Sequence, residues 1–217
     1  MRLYLASTSP ARLATLRAAG IEPIVVPSEV DEEAVVAAAE ASGHLLSPAE
    51  MVLLLGRAKA EAVSGRLIDG EPIDGFVLGA DSAFELDGVS YGKPHLASVA
   101  RERWLMQRGR TGHLHTGQWI VDHRAGTAGG GAGAVSTAAV TFSATMTDVE
   151  IDAYIATGEP LEVAGAFTID SLGAAFITAV EGDPHTVVGL SVSTLRELVL
   201  GFGTPWPSLW TTPARDS

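Results

Sequence analysis

The apolar positions of this chain switch repeatedly between the period of a strand and that of a helix. Leu3 to Ala6 form a short apolar run of buried-strand type. Ser7, Thr8 and Ser9 then break the run. Ser9 suits an N-cap and Pro10 the first helical position; Leu13 and Leu16 recur at helical spacing, and Gly20 is a natural stop. Ile24 to Pro27 predicts a second strand. The acidic run Glu29 to Glu33 leads into an alanine-rich helical segment. Ser47-Pro48-Ala49-Glu50 is a capping box, opening a helix in which Met51, Leu54, Leu55, Ala58 and Ala62 share one face. Phe76 to Ala80 predicts a buried strand with Asp81 directly behind it. Phe84 to Leu86 and Val89 to Tyr91 flank Asp87-Gly88, a hairpin turn, and Lys93-Pro94 closes that unit. Ser98 to Arg108 predicts a helix with Trp104 and Leu105 facing inwards.

His115 to Asp122 and Val135 to Phe142 alternate like paired strands. Between them, Arg124 to Ala134 is rich in glycine. Gly129, Gly131 and Ala134 match the dinucleotide fingerprint formally, but that fingerprint needs a helix after it, and the following VSTAAVTF is β-branched and strand-like. The stretch therefore reads as a flexible hairpin loop. Thr147 to Glu150 is a further capping box, opening a helix that ends near Thr157-Gly158. Gly165 to Ala179 looks like turn and strand material, and Ser193 to Leu200 a last helix. From Gly203 the prolines, two tryptophans and lack of period suggest a loosely packed extension (residues 203–217) behind one domain (residues 1–202). No internal repeat is evident. Alternation of strands and helices, followed by antiparallel-looking strands, predicts an α/β fold: a mixed twisted sheet in two lobes, with helices packed around it and a central cleft. Ser7 to Ser9 and Asp81 both follow expected strand ends, where ligands of such sheets bind.

Composition narrows the partners. The 217 residues are 47% hydrophobic, enough for a sizeable core. With 26 acidic and 14 basic side chains the net charge is −12, which disfavours nucleic acid or an anionic membrane surface as partner. A single nucleotide in a local basic pocket remains compatible. No cysteine is present, so disulfides and thiolate zinc sites are excluded. Leu3 to Ala6 is too short for a signal-peptide core, and no apolar run reaches membrane-span length, so a cytoplasmic protein is expected.

Five charged residues break local pattern. Arg12 falls in the first turn of its helix, where the macrodipole already carries about half a positive charge and a Glu or Gln would complete a capping box. It is either an ordinary surface arginine or one wall of an anion site, built with the free helix N–H groups and the hydroxyls of Ser7, Thr8 and Ser9. Asp81 is either a loop cap or a site residue. Lys93, between glycine and proline, and Lys59, on a helix, read most simply as solvated. So does Glu32, within its acidic run.

Taken in order, LASTSPARLATL, EVDE, LLLGRAKAEAV, GADS, DGVSYGKP, GRTGHLHTG, TGEPLEVAGAFTID and EGDPHTVVGL resemble the Maf family of nucleoside triphosphate pyrophosphatases, most nearly its actinobacterial branch. The resemblance implies a Maf/ITPase-like fold. It implies that Ser7, Ser9 and Arg12 hold substrate phosphates and that Lys59 and Lys93 are phosphate-binding lysines. Glu32 and Asp81 become site carboxylates that hold a divalent metal, magnesium or manganese, and Asp81 the proton acceptor. The implied reaction converts a nucleoside triphosphate and water into the monophosphate and pyrophosphate, for house-cleaning of nucleotide pools. A homodimer is implied as well.

Three positions depart from the family's better-known patterns. Members acting on dTTP and UTP tend to carry a second arginine after the proline, a threonine after the site aspartate and a glutamine in the A-G-A-Y-x-I-Q block. Members acting on 7-methyl-GTP tend to have a bulky aromatic, a glutamine and a glutamate there. This chain has Ala11, Ser82 and Asp170. Base preference is thereby left open, and Asp170 is otherwise a turn residue. Gly112 stands where many members have histidine, and the His113/His115 pair follows from strand alternation. The alternative function is a non-catalytic nucleotide-binding regulator of septum formation, against which the retained Glu32, Asp81 and both lysines argue. A P-loop NTPase is excluded by the missing G-x-x-x-x-G-K-[ST].

Overall fold

The computed structural model describes residues 1–126 and 129–211. Its elements, in order, are β1 (Leu3–Leu5), α1 (Pro10–Ala18), β2 (Ile24–Val25), α2 (Glu32–Glu40), α3 (Pro48–Ser64), β3 (Leu67–Ile68), β4 (Glu71–Pro72), β5 (Phe76–Leu86) and β6 (Val89–Tyr91). They continue with α4 (Ala97–Gln107), β7 (Thr111–Asp122), β8 (Gly131–Phe142), α5 (Asp148–Ala156), β9 (Ile177–Glu181), α6 (Pro184–Val188) and α7 (Val192–Gly201). Seven of the strands make one mixed sheet in the order β2-β1-β5-β7-β8-β9, with β6 also on β5; β3 and β4 form a separate hairpin. The β1 pairings with β2 and β5 are parallel, and the remaining ones antiparallel. The α/β class and mixed sheet expected from the hydrophobic pattern are present. Among the described residues no helix is long and apolar enough to cross a membrane.

The long strand β5 organises the molecule. β7 pairs with one of its edges from Phe76 to Glu85. The other edge is shared: β1 takes Phe76 to Leu78, and β6 takes Phe84 to Leu86. Residues 79–83 therefore face a gap between two partners. The apolar clusters divide at the same place. Leu3, Leu5, Leu16, Phe76, Leu78 and Leu195 pack at one end. Phe84, Trp104, Leu114, Phe142 and Phe167 pack at the other, with edge-to-face aromatic contacts among them. Tyr4, Val63, Val77 and Val121 line the opposite face of the first end, as strand alternation requires.

Several expectations are corrected. Asp81 does not follow a strand; it lies in the middle of one, because FVLGADSAFEL continues unbroken as β5. The inner face of α3 is Val52, Leu55, Gly56, Lys59, Ala60 and Val63, turned from the face that side-chain hydrophobicity suggested. Backbone contact decides this. A Cβ on Gly79 would lie 2.1 Å from the Gly56 carbonyl oxygen, and one on Gly117 would lie 2.3 Å from the Val52 carbonyl carbon, so α3 rests directly on the sheet. β7 and β8 reach well beyond His115 and Val135, and Gly131 and Gly133 belong to β8 rather than to a loop. They are bare because Trp119 of β7 lies across them, within 2.6 Å and 2.4 Å of where their Cβ atoms would be. Of the remaining glycine-rich loop, Thr127 and Ala128 lie outside the described residues. Leu105 is partly exposed while Trp104 is buried. The segment expected to extend loosely from Gly203 instead packs back. Leu209 is fully buried in the first cluster, with Trp206 against it, and the Thr211 N–H donates to the Gly20 carbonyl at 2.9 Å. Residues 212–217 lie outside the described part.

Candidate active site

The gap on β5 gathers most of the residues singled out above. β1 ends beside it, and the chain turns through Ser7 to Ser9 into α1. Ser9 caps that helix by accepting from the Arg12 N–H at 3.4 Å. Arg12 is thus placed in the first turn, and its side chain is only 9% exposed. Its guanidinium donates from Nε to the Gly189 carbonyl at 2.8 Å, and from the two terminal nitrogens to Ser7 Oγ and Ser82 Oγ, each at 3.2 Å. Burial holds its pKa below the usual arginine value, partly offset by the negative charges of Asp81 and Glu32. An arginine stays charged under these conditions. The reading of Arg12 as a surface residue is therefore set aside.

The serine hydroxyls are poised to donate. Ser7 Oγ accepts from both the Ser9 N–H and Arg12, each at 3.2 Å. Both lone pairs are thereby occupied and its one proton is unassigned. Two N–H groups of the five on Arg12 are likewise unassigned. This corner presents donors and a positive charge at a helix N-terminus, the combination that binds phosphate oxygens.

On the other face of β5, Lys59 reaches down from α3. Its Nζ lies 2.7 Å from Asp81 Oδ1 and 2.8 Å from Glu32 Oε1. Lys59 is 8% exposed, which rules out the solvated reading. The glycine contacts explain its reach: with Gly56 on Gly79 and Gly117, the residue one turn later stands over Asp81, which pairs with Gly117. Glu32 arrives on the first turn of α2, whose N-cap is Asp31. Glu32 and Asp81 converge on one point, occupied here by the ammonium. A pair of carboxylates suits a hard divalent cation that completes its shell with phosphate oxygens and water. Among the described residues no group of three or more His, Cys, Asp or Glu is placed to hold a metal ion.

Lys93 is not in this cluster. It is exposed, and its side chain makes no ion pair or hydrogen bond among the described residues. Its backbone is nevertheless aimed at the gap: Tyr91 pairs with Phe84, so the chain leaving β6 runs antiparallel towards residues 83 and 82. Ala11 is half-buried beside Arg12 on α1. Asp170 is exposed, on a turn tied down by Glu159. The Glu159 carboxylate accepts from Thr168, Ser171 and Tyr154 hydroxyls at 2.5, 2.7 and 2.9 Å, and from the Gly173 and Leu172 N–H groups at 3.1 and 3.2 Å. Burial pushes its pKa up, but these donors outweigh it and bring it down to about 2.

The sequence reading named Ser82 but missed the residues that lie with it behind Arg12. Ser82 Oγ meets Thr116 Oγ1 at 2.9 Å, Thr116 donates to the Thr186 carbonyl at 2.8 Å, and Thr186 donates to Ser136 Oγ at 2.9 Å. Asp183 caps α6, accepting from the His185 N–H at 2.9 Å and from Ser191 Oγ at 2.6 Å, and so holds the turn that presents the Gly189 carbonyl. The Ser191 N–H in turn donates to Gln118 Oε1 at 2.5 Å. Of these, only the D-P pair at Asp183-Pro184, an N-cap pattern not read above, could have pointed to the turn.

Residues 2–202 match the family described as Maf-like protein. A nucleoside triphosphate pyrophosphatase of Leifsonia xyli is 68% identical over 97% of both chains. Proteins of the same description from Salinispora tropica and Nocardia farcinica are 49% and 45% identical, over 97% and 98% of this chain and 88% and 98% of theirs. Among solved structures, the Staphylococcus aureus Ham1 protein shows a TM-score of 0.37 at 13% identity, over 66% of this chain and 73% of that one, a likeness too slight to carry an argument. On the match that spans nearly its whole length, this chain belongs to the Maf-like protein family.

Proposed function

We propose that this protein hydrolyses a nucleoside triphosphate to the monophosphate and pyrophosphate, using a divalent metal. The observation that carries the reading is the convergence, at the gap on β5, of a buried phosphate-type donor corner with a carboxylate pair bridged by Lys59. The family and the printed activity of its relatives agree with it.

Each residue has a part in that reaction. Arg12, Ser7 and Ser9 grip the phosphates, and their fixed geometry supplies most of what phosphoryl transfer requires. Lys59 neutralises Glu32 and Asp81 when no substrate is bound, and a triphosphate offers its ammonium a competing anion. Glu32 and Asp81 would hold magnesium or manganese, which supplies Lewis-acid neutralisation of phosphate charge and a more acidic bound water. Asp81 accepts the proton of the water that attacks the α-phosphorus. Arg12 and Lys59 stabilise the negative charge growing on pyrophosphate as it leaves. Lys93, carried on the segment that points into the gap, joins them in stabilising that charge once phosphates attract it. Ala11, Ser82 and Asp170 are the positions at which family subgroups of different base preference differ, and they leave the preferred base open. Pool cleaning and a homodimer complete the reading on the family resemblance, and a cytoplasmic setting on the sequence pattern.

The test is pyrophosphate release from a panel of canonical and modified nucleoside triphosphates with magnesium or manganese, beside Asp81→Asn. The parent releases pyrophosphate and monophosphate, and the variant does not while keeping its fold. Nucleotide binding without turnover anywhere in the panel would replace the reading with the non-catalytic regulator.

A further inference from the structure

Hydrogen-bond directions around Arg12 are determined by chemistry at both ends. Arg12 can only donate, so Ser82 Oγ must accept from it at 3.2 Å. The Thr186 carbonyl can only accept, so the Thr116 hydroxyl spends its proton there, at 2.8 Å. Ser82 and Thr116 face each other at 2.9 Å on paired positions of β5 and β7. With the Thr116 proton already committed, Ser82 is the donor of that bond. The chain runs one way: Arg12 to Ser82, Ser82 to Thr116, Thr116 to the carbonyl of Thr186. Thr116 and Thr186 are fully buried. Ser82 therefore has no proton to offer a base.

We propose that Ser82 and Thr116 are positioning residues for the Arg12 guanidinium, and that Ser82 influences the reaction through phosphate binding and not by donating to the base. This rests on the assignment of Arg12 to the substrate phosphates made above, and sharpens the role of Ser82 in it. A threonine at position 82 would keep the same relay, and an alanine would cut it.

Inorganic tripolyphosphate, a triphosphate with no base or sugar, separates the roles. Its affinity is measured by calorimetry for the parent, Arg12→Ala, Ser82→Ala, Ser82→Thr, Thr116→Val and Thr116→Ser, each checked for an unchanged thermal transition. Ser82→Ala and Thr116→Val weaken tripolyphosphate about tenfold, the scale of one misaligned bond to a charged group. Ser82→Thr and Thr116→Ser restore it, and neither Ser82→Ala nor Thr116→Val adds to Arg12→Ala. Parent-like tripolyphosphate binding in Ser82→Ala and Thr116→Val, with Arg12→Ala impaired, overturns the relay alone. Parent-like binding in Arg12→Ala overturns the phosphate assignment and the relay with it. Should Thr116→Val lower the thermal transition, rescue by Thr116→Ser decides: failure to rescue affinity in a folded protein counts against the proposal.

Discussion

Glu159→Gln is the substitution whose effect the structure defines most closely. The carboxylate of Glu159 accepts five hydrogen bonds and, among the described residues, has no cationic partner in contact. Three donors are hydroxyls that can turn elsewhere, but the Leu172 and Gly173 N–H groups are fixed by the backbone. A glutamine offers one oxygen and one NH₂, so one of those two amides loses its acceptor. The native carboxyl titrates at about 2 instead of 4.5, a displacement worth about 3 kcal/mol at neutral pH. Glu159 is not fully buried, and screening by water reduces this to about 2 kcal/mol. The sign follows from the depressed value. The stabilisation is complete above pH 4.5 and is lost as pH falls towards 2. Urea denaturation of parent and variant across pH 7 to 3 tests this, because every other carboxylate cancels in the difference. The gap should be about 2 kcal/mol at pH 7 and narrow steadily below pH 4.5. A gap that does not change with pH, or none at pH 7, refutes the reasoning that the charge of this carboxylate ties the Asp170 turn.

Gly79→Ala should cost about 3 kcal/mol in chemical denaturation, since its Cβ would fall 2.1 Å from the Gly56 oxygen and 2.6 Å from the Ala60 nitrogen, both backbone atoms. Because α3 must lift to admit it, pyrophosphate release by the folded fraction should fall as well; full activity would mean that Lys59 is not seated by this contact. Leu209→Ala should destabilise by about 2–4 kcal/mol and Trp210→Ala, half exposed, by less than about 0.5 kcal/mol; equal and small effects would show that the C-terminal segment contributes nothing to the core.

Short-range chemistry made much of this molecule legible from its residues. The capping boxes at Ser47 and Thr147, the N-cap at Ser9 and the turn at Asp87-Gly88 act over three or four residues, and each appears where local pattern placed it. Arg12 was conspicuous for a similar reason: a cation in a first helical turn is a local electrostatic conflict that needs a ligand or partner to resolve it. What local pattern could not reach was any relation set by packing of distant backbones. Glycine has no side chain to advertise its contacts, so the seating of Gly56 on Gly79 and Gly117 was invisible, and with it the true inner face of α3 and the burial of Lys59. Asp81 looked like a strand end because charge usually stops a strand. It stays within β5 because one edge is held by β7 while the other opens into the gap between β1 and β6. Thr116, Thr186 and the Gly189 carbonyl gave no signal either, since a threonine in a strand is ordinary until a hydroxyl on the next strand faces it. Local pattern predicted the fold class and marked Arg12 and Asp81, and the family motifs marked Glu32 and Lys59. Their assembly into one site depended on contacts between residues far apart in the chain, whose cause lies in the packing of sheet against helix.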